Sequence, residues 1–93
     1  KDINKIIKKF KLKDFDFIEK KNIMYDDYLV YYDFEKDKIS SLCRVVDMKF
    51  INNNLINITL YSKYNDNTYY FRIIPDKYYI FRSKNLLEKL IKN

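Results

Sequence analysis

The stretch LINITLYSKYNDNTYYFRIIPDKYYIFRSKNLLEKLI, from Leu55 to Ile91, decides the fold. Ile56, Ile58 and Leu60 alternate with polar residues, Asn65-Asp66-Asn67 interrupts, and Tyr69, Phe71 and Ile73 alternate again. Pro75-Asp76 makes a second break, after which Tyr79 and Phe81 continue the two-residue period of a strand. The period then becomes helical, because Leu86, Leu87, Leu90 and Ile91 make one apolar stripe at four-residue spacing. Asn85-Leu86-Leu87-Glu88 has capping-box order, and the helix is expected over residues 83–92. Three short strands feeding a closing helix are the frame for the rest.

Working backwards, Ile39 to Ile51 places Leu42, Val46, Met48 and Phe50 on one parity, a run long enough to predict two short strands with a bend near Asp47. Lys36-Asp37-Lys38 reads as a hairpin turn, and Tyr28, Val30, Tyr32 and Phe34 as the strand before it. Phe15 and Phe17 alternate with Asp14 and Asp16 in a first strand, followed by the basic loop Lys20-Lys21-Asn22. At the start, Ile3, Ile6, Ile7 and Phe10 have the spacing of an amphipathic helix over residues 1–12, with Lys1, Lys5, Lys8 and Lys9 on the opposite face. That helix is open to three uses: packing on the domain, lying on an anionic membrane, or docking into a partner groove.

The expected fold is therefore mainly β with flanking helices. About seven antiparallel strands over residues 13–82 form a meander in one domain of 93 residues. With no glycine in the chain, left-handed turn positions must fall to Asn and Asp, which accounts for Asn52–Asn54 and Asn65–Asn67. The surplus of Lys, Asn, Ile and Tyr fits an AT-rich genome, so single lysines are weak indicators of function. The first residue, Lys1, suggests a domain excised from a longer chain. No apolar run reaches the ~20 residues that span a bilayer, and the lone Cys43 reads as a small buried hydrophobe in a reducing, intracellular setting.

Missing atoms exclude chemistry. Without histidine there is no Ser-His-Asp, Cys-His or His-metal arrangement, and without glycine no phosphate-cradling loop. One cysteine rules out zinc ribbons. Asp26-Asp27 and Asp33, Glu35 and Asp37 read as solvated carboxylates, so we expect no enzyme, cofactor or metal. Charge is the remaining signal. Residues 1–21 carry net +4, residues 22–66 net −2 and residues 67–93 net +4, within a total of +6. If the basic ends meet, they make one positive face for anionic lipid, nucleic acid or an acidic protein.

The order Tyr28–Phe34, Ile39–Phe50, Leu55–Ser62, Thr68–Ile74, Lys77–Arg82 and then a helix resembles the pleckstrin-homology-like family. The resemblance implies a curled sheet capped by a C-terminal helix and a non-catalytic interaction module at a membrane or cytoskeletal scaffold. It implies phosphate contacts from the first strand–loop–strand unit, for which Lys13, Lys20 and Lys21 are the candidates. Asp26-Asp27 and a second strand free of Lys and Arg depart from the lipid-binding pattern and favour a protein partner beside, or instead of, a headgroup. Two other readings stay open: a single-stranded nucleic-acid binder using tyrosine rows such as Thr68 to Arg72, and a polo-box-like module that takes a peptide at a strand edge.

Overall fold

The computed structural model describes residues 2–84, the side chain of Tyr64 excepted. One helix, α1 (Ile3–Lys9), precedes seven strands: β1 (Phe15–Ile18), β2 (Tyr28–Asp33), β3 (Lys38–Ile39), β4 (Cys43–Ile51), β5 (Asn54–Tyr64), β6 (Asn67–Ile73) and β7 (Tyr79–Ser83). All pairings are antiparallel, in one sheet of order β1-β7-β2-β4-β5-β6, with β3 extending the β4 side of β2. The sheet does not close into a barrel.

The expected meander holds for β4-β5-β6 and fails at β7, which is inserted between β1 and β2 rather than beside β6. Burial gives the reason. Ile80 and Phe81 are both buried, so β7 is apolar on both faces and belongs in the middle of a sheet. Ser83, expected to begin a helix, is the last residue of β7, paired with Phe15. The remainder of the expected closing helix lies outside the described residues.

The two sheet faces carry two cores. The concave face buries Ile18, Leu29, Val45, Ile58, Leu60, Ile73 and Ile80 together. Curl is strong enough that Tyr31 of β2 meets Phe71 of β6 at 6.4 Å between ring centroids, although β4 and β5 intervene in the sheet. On the other face, Val30, Tyr32 and Phe81 of β2 and β7 are covered by Ile6 of α1 and by Leu12, with Ile3, Ile7 and Phe10 packed around them. The apolar side of α1 is thus occupied within the domain.

Turns follow from the missing glycine. Asn52 and Asn53 have φ of 52° and 64°, and Asn65 and Asp66 have 50° and 63°. Two successive positive-φ residues define the turn that matches strand twist in a two-residue hairpin, and Asn and Asp tolerate it best after glycine. Between β3 and β4 the chain breaks at Ser40-Ser41-Leu42, not at Asp47; near Asp47 there is only a register shift between Val45 and Asp47. Serine hydroxyls take over the ladder at the break. Tyr31 N–H donates to Ser40 Oγ (2.9 Å), and buried Ser62 Oγ donates to Leu42 O (3.2 Å).

The loop before β2 is fixed by Asp27, which is buried. Its carboxylate accepts from Met24 N–H (2.8 Å) and from Arg82 Nη1 (3.2 Å), and the same nitrogen donates to Asn22 O (3.0 Å). Burial also pushes the Cys43 thiol up from its ordinary value, keeping it protonated. Phe81→Ala should lower unfolding free energy by about 3–5 kcal/mol in urea titrations, because removing a fully enclosed ring leaves a cavity in the core under α1. Arg82→Met should cost about 3 kcal/mol by stranding the Asp27 carboxylate, and Asp27→Asn in the same chain should recover part of that loss.

Candidate anion-binding face on the N-terminal helix

Asp2 starts α1 as its N-cap, its carboxylate accepting from Asn4 N–H (2.9 Å) and Lys5 N–H (3.3 Å). The helix stops in a Schellman motif. Leu12 N–H returns to Ile7 O (2.8 Å), Lys11 N–H to Lys8 O (3.4 Å), and Lys11 takes the left-handed position at φ 56°. Leu12, the next residue, is buried against the second core. A lysine in a place that favours glycine is held there by the burial of its neighbour, and its own side chain is left in solvent.

This geometry gathers lysines on one side. Lys5 and Lys8 are three apart on the helix, opposite Ile3, Ile6, Ile7 and Phe10, and Lys11 and Lys13 follow in the exposed turn. Lys84 arrives from the other end of the chain. Its backbone N–H donates to Asp14 O (2.9 Å) and its ammonium to Lys13 O (3.2 Å). Among the described residues, Lys84 is thus the basic residue of the later segment that reaches the first, where β1 pairs with β7.

Several of these charges are balanced. Lys9 pairs with Asp37, and Lys84 lies 3.6 Å from Asp16. Lys5, Lys8, Lys11 and Lys13 form no ion pair among the described residues, and the exposed acids beside them in the chain are Asp2, the helix cap, and Asp14. A hollow of about 180 Å³ under the helix, lined by Asp2, Lys5, Ile6, Lys9, Tyr32 and Asp37, is below the size of small-molecule pockets. The arrangement suits a surface contact with distributed negative charge.

The structure divides the residues singled out from the sequence. Lys13 joins Lys5, Lys8 and Lys9 on the helix side, and Lys1 lies outside the described residues. Lys20 and Lys21 sit on a 3-10 turn at the other end of β1, a strand of four residues and so about 13 Å away along the chain direction. Lys20 is bound by Asp76 (3.0 Å) and donates to Asn54 Oδ1 (2.9 Å), while Lys21 stays exposed beside Phe50. Lys11 and Lys84 were missed by the sequence reading. Lys11 carries a signal only once the helix end is placed, and Lys84 only once β7 is known to pair with β1.

On the convex face, cross-strand register aligns Tyr28, Arg44, Tyr61 and Tyr70 in a row over β2, β4, β5 and β6. The Arg44 guanidinium lies 5.5 Å from the Tyr61 ring centre, and Tyr61 lies 5.2 Å from Tyr70. Lys63, beside Tyr61, is exposed, and a hollow of about 240 Å³ opens between Tyr28, Arg44, Tyr61 and Lys63. Arg44 also approaches Asp26 at 3.5 Å. No group of three metal-ligating side chains forms among the described residues, and no helix among them is long and apolar enough to cross a membrane.

Below the helix, Tyr32 donates its hydroxyl to Asp37 (2.6 Å). That hydrogen bond, with burial second, raises the Tyr32 phenol to about 12 from 10.0. Tyr31, on the concave face, is raised to about 12 chiefly by burial. Both phenols hold their protons longer when folded, so the stability they add is complete below pH 10 and is lost as pH rises toward 12. Thermal unfolding at increasing pH should show stability falling across that window, and Tyr32→Phe should flatten the decline. No family model, curated protein or solved structure matches the chain.

Proposed function

We propose that the chain is a non-catalytic interaction module that docks on an anionic lipid surface through Lys5, Lys8, Lys11 and Lys13. The observation that carries this reading is the division of labour in α1. Its apolar side is used inside the domain, and Lys5 and Lys8, with Lys11 and Lys13 of the following turn, are exposed and form no ion pair among the described residues. Anchoring by insertion of the helix is thereby disfavoured, and contact is electrostatic, at about 1 kcal/mol per lysine near an anionic leaflet.

The pleckstrin-homology-like reading belongs to this proposal. Seven antiparallel strands curled over one apolar face support it, while β7 between β1 and β2 and the unclosed sheet are departures from the expected pattern. Headgroup gripping by Lys20 has less support, because Asp76 already holds that ammonium. The reading places the module at the cytoplasmic face of a membrane or its associated scaffold, where a protein partner can share the contact.

A second reading rests on the Tyr28-Arg44-Tyr61-Tyr70 row, which has the aromatic and cationic character of a stacking platform for single-stranded nucleic acid. Quenching of tyrosine fluorescence by an oligonucleotide at low salt, lost on Tyr61→Ala, is its expected signature; no quenching would remove it.

For the main reading, co-sedimentation with phosphatidylserine vesicles should exceed that with phosphatidylcholine alone and fall with added salt. Reversing charge in Lys8→Glu/Lys11→Glu/Lys13→Glu should weaken binding by more than about tenfold. Lys20→Glu/Lys21→Glu should weaken it less. Equal sedimentation with neutral vesicles, or a triple variant that binds as well as the parent, would contradict the proposal.

A further inference from the structure

The two edges of the sheet are unlike. β1 is four residues long, carries Asp16 and is flanked by Asp14 and Lys84, the charged and short character that discourages edge pairing. β6 is seven residues, NTYYFRI, pairs with β5 without a register shift, and has neither proline nor bulge. Its single charge is Arg72, and Tyr69 and Tyr70 are 47% and 67% exposed. Its outer backbone groups have no strand partner among the described residues.

From this strand we infer that β6 is a self-association edge, pairing antiparallel with β6 of a second copy about a two-fold axis through Tyr70. The charge and aromatic pattern select this occupant and this register. Overlap of all seven residues is possible only with the axis at the central residue, Tyr70. That register sets Arg72 opposite Thr68 of the other copy, so no like charges face one another. It sets Tyr69 opposite Phe71 twice on the concave side, and Tyr70 opposite itself on the convex side. An axis at Arg72 would oppose two guanidinium groups and leave most of the strand unpaired. Because the contact is the same patch on both copies, it closes as a dimer and joins two sheets of seven strands side by side. This inference is independent of the lipid reading, since β6 and the lysines of α1 lie on different elements.

Sedimentation velocity on the whole chain at roughly 300 µM, suited to an interface at the small end of the size range, should show a dimer that dissociates on dilution. Tyr70→Lys and Tyr70→Glu should each sediment as monomers while keeping the parent's circular dichroism, since the exposed side chain supports no core. An equimolar mixture of the two should recover dimer, because an axis through residue 70 brings the new ammonium and carboxylate together. A parent that stays monomeric, single variants that still dimerise, or a mixture no more associated than its parts would overturn the inference.

Discussion

Burial of β7 on both faces is the constraint from which the rest of this structure follows. A five-residue strand with Ile80 on one side and Phe81 on the other cannot end a meander, where one face would meet water. Placed between β1 and β2, Ile80 completes the concave core and Phe81 completes the second core under α1. Because β1 then pairs, among the described residues, with β7 alone, the first strand and β7 form one unit with β2. The positive face is a by-product of that pairing: the strand that seals both cores also delivers Lys84 to the lysines of the first segment.

Much of the fold could be read from the residues, and what escaped has a physical cause. Hairpins at Asn52-Asn53 and Asn65-Asp66 were legible because a chain without glycine has few other ways to turn. Strand positions were legible because alternation specifies faces. Alternation does not specify neighbours, and the neighbours of β7 were therefore not readable from Tyr79 and Phe81 alone. The third apolar residue, Ile80, breaks the strict alternation and was the available clue to a strand buried on both sides. The interruption at Ser40-Ser41-Leu42 was hidden because serine hydroxyls substitute for backbone partners that only the folded sheet supplies.

The candidate site was legible as charge and not as geometry. Lys13 and the helix lysines stood out as a basic segment, but whether α1 would spend its apolar side inside the domain depended on an open patch at Val30, Tyr32 and Phe81. Lys20 looked free in the sequence because its partner, Asp76, is remote along the chain and is brought near by the pairing of β1 with β7, which sets Ile18 opposite Ile80. In the proposed docking, four lysines without an ion pair among the described residues would supply about 4 kcal/mol at an anionic surface, which corresponds to millimolar affinity. A dimer through β6 would double the number of lysines engaged, so the two proposals, each testable alone, are mutually reinforcing in strength.

The most direct measurement of the account is the set of interstrand proton contacts in a nuclear Overhauser spectrum of the labelled chain. The structure requires contacts from β7 to both neighbours, between Phe17 and Phe81 and between Val30 and Phe81, in antiparallel register. Contacts linking β1 directly to β2, or β7 to β6, would restore a sequential meander, separate Lys84 from Lys13, and contradict the account at its base.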